Sequence, residues 1–99
     1  MNYENMYEED KKQYVGIVKR FEKLQENDIA GAYALMKDAY VVAERWSKIK
    51  YDIKKGLKRG QESALKERID EMCRYLREIA TTSRQIWNNA KKELERGVY

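Results

Sequence analysis

Glu67, Asp70 and Glu71 are the residues whose types and spacing come nearest to a catalytic set. Three and four positions apart on a helix, they share one face, and carboxylates so placed could hold Mg²⁺. With 17 acids in 99 residues, such a cluster also arises by chance. The structural alternative is an ion pair of Asp70 with Lys66 or Arg74, each four positions away, and the helical-wheel angle turns Asp70 from the expected core. Elsewhere the means for chemistry are thin. The chain has no histidine, which removes the usual general base and the commonest transition-metal ligand. Cys73 flanks an apolar seam and reads as a buried small hydrophobe, because no imidazole is at hand to activate its thiol. Hence no catalytic residue, metal ligand or cofactor is assigned.

Glu67-Arg68-Ile69-Asp70 resembles the second metal motif, Glu-x-x-Asp, of the all-α nucleoside triphosphate pyrophosphatases. That resemblance implies a metal-dependent phosphohydrolase. The family's first motif, Glu-Glu-x-x-Glu on a facing helix, is not matched: Glu8-Glu9 is followed by Lys12, and Glu22 and Glu26 stand four apart.

Two other groups point to binding. Lys48, Lys50, Lys54, Lys55, Lys58 and Arg59 form a basic run opposed only by Asp52. Phosphate contact, with nucleic acid first, is its functional reading. The structural reading is that these cations complement the end of a helix macrodipole and meet an acidic stretch around Glu4, which an antiparallel layout folds to the same end. The second group is Tyr33, Tyr40 and Tyr51, a stripe at the edge of an apolar arc. Tyrosine suits an interface because its ring is apolar while its hydroxyl stays wet. The stripe is the candidate surface for self-association, most simply as a two-fold dimer.

These residues must be positioned by helices. A chain of 99 residues that is 42% hydrophobic and 38% charged forms one domain over 1–99. Eleven aromatics, with regularly placed Leu, Ile and Met, supply burial that a disordered chain lacks. The least charged stretch, 28–42, still holds Lys37 and Asp38, so no membrane span is expected. Glu4, Glu8, Glu9 and Asp10 occupy the place of a secretory signal's basic and apolar regions, and a single cysteine cannot form an internal disulfide. Both point to a reducing, cytoplasmic setting.

Turn chemistry at Glu26-Asn27-Asp28 and between Gly56 and Gly60 divides the chain into segments of roughly 3–26, 28–58 and 61–97. Asn27 or Asp28 is placed to cap the second segment. In the first segment Tyr7, Tyr14 and Phe21 recur every seven residues, with Tyr3, Ile17 and Leu24 between them. The second carries the widest apolar arc, including Ala32, Leu35, Ala39, Ala43 and Trp46. In the third, Leu65, Ile69, Met72, Leu76, Ile79, Ile86 and Ala90 form a seam. All three patterns follow the helical period, and short connections make successive helices antiparallel. The expected fold is all-α, three principal helices in an antiparallel bundle. Thr81-Thr82-Ser83 is a poor helix run that could break or bend the third helix, but the apolar phase passes through it unbroken. Gly16, inside the first helix, is expected to mark close packing.

The composition resembles that of small helical proteins of thermophilic archaea and their filamentous viruses. Dense charge of mixed sign fits ion-pair networks that gain value with temperature, with Glu8–Lys12, Glu62–Lys66, Asp70–Arg74 and Lys91–Glu95 as candidate pairs. The resemblance implies an accessory protein. The sequence thus suggests a non-enzymatic, self-associating interaction protein, with weak non-specific nucleic-acid binding through residues 48–59 as the alternative.

Overall fold

The computed structural model describes residues 2–56 and 63–97, which form three α-helices and, among the described residues, no strand: α1 (Tyr3–Lys23), α2 (Ile29–Gly56) and α3 (Ala64–Glu95). Each begins where a short polar side chain satisfies an otherwise unpaired backbone donor. Asn2 Oδ1 accepts from the Asn5 N–H at 3.1 Å, Asp28 Oδ1 from Gly31 at 2.9 Å, and Ser63 Oγ from Lys66 at 3.2 Å. Of the two caps expected for the second helix, Asp28 is the one used. A β-carbon on Gly31 would collide with that carboxylate, so glycine keeps the cap in place.

α1 stops at Lys23, short of the expected residue 26. Leu24 turns extended, with ψ 127°, and its N–H donates to the Phe21 carbonyl at 3.2 Å. α3 runs unbroken through Thr81-Thr82-Ser83 and closes at Gly97, whose φ of +73° suits glycine and whose N–H reaches the Leu94 carbonyl. Of the turn expected over 56–60, positions 57–60 lie outside the described residues, as does Leu57.

The pairing is antiparallel between α2 and α3: Tyr33 meets Trp87, Ala43 meets Cys73 and Lys50 meets Asp70. α1 runs antiparallel to α2, with Arg20 on Asp38 and Asp10 on Trp46, and parallel to α3, with Tyr14 against Tyr75. The helices contribute unequally. α1 buries Tyr7 and Ile17; α2 buries six residues and α3 eight. Tyr14, Val18, Phe21 and Leu24 pack half-buried against the core. The molecule is therefore a long α2–α3 hairpin with α1 laid in one of its two grooves. It measures 58 × 22 × 17 Å, with a radius of gyration of 16.5 Å.

Trp46, fully buried, is the centre of the α1 contact. Its indole N–H donates to Asp10 Oδ2 at 2.7 Å, and the Tyr7 ring meets it edge-on at 5.8 Å. Gly16 departs from its expected role: a β-carbon there would touch nothing within 4 Å, so close packing is not its reason. Ser83 sits in the α3 seam at 0% exposure with its hydroxyl unpartnered, at a cost on the order of 1–3 kcal/mol.

Candidate functional site on the open face of the hairpin

Because α1 occupies one groove of the hairpin, the face of α2 and α3 on the other side stays open to solvent. Tyr33, Tyr40 and Tyr51 stand on it at 43%, 57% and 60% exposure, against 6% for the core residue Tyr7. The tyrosine stripe is thus presented outward as a row. Tyr33 tilts against Trp87 of α3 at 5.4 Å between ring centroids. Amines lie over three of the rings: Lys37 over Tyr33 at 5.5 Å, Lys55 over Tyr51 at 5.3 Å and Lys91 over Trp87 at 4.4 Å.

The basic run does not act as one unit. Lys48, Lys54 and Lys55 are exposed. Lys50 is drawn into an ion pair with Asp70 Oδ1 at 2.7 Å, so the acid that meets it comes from α3 rather than from the stretch around Glu4. Lys58 and Arg59 lie outside the described residues. The acid of α1 that crosses to α2 is Asp10, which also lies 3.3 Å from Arg45.

Asp70 corrects its expected orientation: it faces α2, half-buried, with Lys50 on one oxygen and Lys66 at 3.5 Å on the other. Its carboxyl is held below the usual range, first by the Lys50 hydrogen bond, against the opposing effect of burial, and further by the charges of Lys50 and Lys66. Glu67 and Glu71 are exposed, and among the described residues no three acids or thiols converge as a metal site. Of the candidate helical pairs, Glu8–Lys12, Asp70–Arg74 and Lys91–Glu95 do not close within 4 Å, and Glu62 lies outside the described residues; of the two partners expected for Asp70 on its own helix, Lys66 is the one it meets. Cys73 is buried beneath the same face, its thiol directed at the Ala43 carbonyl at 3.8 Å. Burial, the largest influence, raises its pKa, so the nucleophilic thiolate is disfavoured.

A groove runs along the open face that the sequence reading missed. Beside Tyr40 it is an apolar hollow of about 300 Å³ floored by Met36 and Ala80 and rimmed by Lys37 and Arg84. Thr81 also lines a second, wider depression of about 700 Å³ that includes Ser47, Lys50, Arg74 and Arg77. Arg77 donates to Ser47 Oγ at 2.7 Å and stands 4.0 Å from Glu44. A signal for it was present. Tyr33, Tyr40 and Ser47 recur every seven residues, as do Arg77, Arg84 and Lys91, and antiparallel packing sets the two rows side by side. No helix among the described residues is long and apolar enough to cross a membrane. Compared with protein-family models, with curated proteins and with solved structures, the chain matches none.

Proposed function

We propose that this chain is a non-enzymatic helical interaction protein whose working surface is the open face of the α2–α3 hairpin. The observation that carries this reading is the row Tyr33, Tyr40 and Tyr51, left largely exposed beside Trp87 while the core holds Tyr7 and Trp46. Rings on a surface are the residues a partner can desolvate at greatest gain. The non-enzymatic part rests on the lack of histidine, on a thiol kept protonated by burial, and on Asp70 being held between two lysines. A lone buried thiol suits a reducing compartment.

Self-association is the simplest way to cover such a face. Sedimentation equilibrium tests it together with two variants. Tyr40→Asp should weaken a dimer while leaving helicity intact, whereas Tyr7→Asp, which places a charge in the core, should lower the melting temperature. A chain that stays monomeric at high micromolar concentration overturns self-association. The second reading, phosphate contact by the basic end of α2, is favoured by the exposure of Lys48, Lys54 and Lys55.

A further inference from the structure

We infer that the groove on the open face binds single-stranded nucleic acid, with a base stacked on Tyr40 and phosphates met by Lys37, Arg74 and Arg84. The inference rests on the open face being the working surface, and it names an occupant other than a second copy of the chain.

Charge selects the occupant. The two adjoining hollows, which share Thr81, are lined by five cations, Lys37, Lys50, Arg74, Arg77 and Arg84, against two acids, Asp70 and Glu78. Lys50 already answers Asp70, and Arg77 is engaged with Ser47 and Glu44. Lys37, Arg74 and Arg84 are exposed and make no ion pair among the described residues. A second copy can cover the tyrosine row, but over the groove it would bring cations together, and like charges across an interface are costly. In the groove itself a polyanion gains where a second copy loses.

Shape and aromatic placement then narrow the polyanion. Arg74 and Arg84 stand ten residues, about 15 Å, apart along α3, so they suit an extended backbone rather than one point charge. Tyr40 stands 57% exposed beside an apolar hollow of about 300 Å³, with Lys37 and Arg84 at its rim. An aromatic face next to cations is the arrangement on which unpaired bases stack while their phosphates are neutralised. A duplex hides its base faces and leaves Tyr40 unused. A polyglutamate chain would meet the cations but offers no ring to stack.

The test is fluorescence anisotropy with a labelled oligothymidylate of about 12 nucleotides, within the usual site sizes for single strands. Three neutralised phosphates give a slope of log K against log salt near −2, so affinity should fall about 20-fold between 50 and 200 mM salt. The double change Arg74→Gln/Arg84→Gln should flatten the slope to about −0.7. Tyr40→Ala should weaken binding about tenfold at fixed salt without altering the slope. Lys54→Gln/Lys55→Gln should change little, which separates the groove from the basic end of α2. Circular dichroism of each variant confirms that it is folded. The inference is overturned by no binding at 50 mM salt, by a duplex or polyglutamate binding as tightly as the oligonucleotide, or by indifference to Tyr40→Ala. If the oligonucleotide fails while the chain self-associates in a manner sensitive to Tyr40→Asp, the groove assignment falls and the working surface stands. If it neither binds nor self-associates, both fall.

Discussion

Replacing Asp10 by alanine should loosen α1 more than any other exchange of a polar side chain on that helix. Asp10 Oδ2 accepts the Trp46 indole N–H at 2.7 Å, and Trp46 is at 0% exposure. A hydrogen bond to a charged partner contributes about 1.5–3 kcal/mol. The Asp10 side chain itself retains 16% of its surface in water, so solvent can partly replace it, and the lower half of that range applies. The Arg45 partner, more than half exposed, adds only about 0.5 kcal/mol or less. The expected loss is about 2 kcal/mol, or about 8–16 °C in melting temperature for a chain of this length. Asp10→Asn keeps a carbonyl oxygen for the indole and should lose about half as much. Thermal melts followed by circular dichroism measure both. Trp46→Phe supplies the control, since it removes the N–H and leaves a smaller aromatic ring at the site. In that background Asp10→Ala should cost only about 0.5 kcal/mol, the remainder appearing as coupling between the two sites. An Asp10→Ala melt within about 2 °C of the parent, or equal costs with and without the indole N–H, would refute the latch.

Gly16→Ala should stabilise the protein by about 0.4–1 kcal/mol, because an added β-carbon meets nothing within 4 Å and the helix interior prefers alanine; a lower melting temperature would mean that something packs on Gly16 after all. For Asp70 the folded pKa lies below the unfolded value. Its contribution is therefore present above about pH 4 and disappears as pH falls through the folded value. Asp70→Asn should cost under about 1 kcal/mol at neutral pH, since both partners keep roughly a third of their surface in water, and should flatten the stability curve below about pH 4. Parallel acid limbs for parent and variant would show that the Lys50 link carries no charge-dependent stability.

Helix type and number were legible because apolar phase is a property of each segment by itself. The seam Leu65, Ile69, Met72, Leu76, Ile79, Ile86 and Ala90 keeps its period across three weak helix formers, and the structure buries all of it except Leu65 and Ile86, which are half-buried. What one segment cannot report is where its neighbours lie. Asp70 was read as outward from the angles of its own helix, yet α2 lies close enough for Lys50 to reach it. Gly16 carries no side chain, so a packed glycine and an idle one read alike. The groove was hidden for a related reason. A hairpin has two grooves, and the sequence does not say which one α1 fills until Asp10 is seen to cross to Trp46. Only then do the heptad rows of tyrosine and arginine belong to the side that remains bare.

The shape of the molecule has a consequence for any measurement of its assembly. A compact chain of this length has a radius of gyration near 13 Å, whereas this one reaches 16.5 Å by extending about three times as far along its axis as across it. By the scaling that holds for compact domains, 16.5 Å belongs to a chain of about 200 residues, twice the length of this one. A single copy therefore imitates the size of a globular dimer in any method that infers mass from dimensions. Elution volume against spherical standards would report two chains where there is one. Absolute mass, from light scattering or the forward intensity of X-ray scattering, separates a rod from a pair. For this protein the number of chains in an assembly has to be weighed, because its radius counts double.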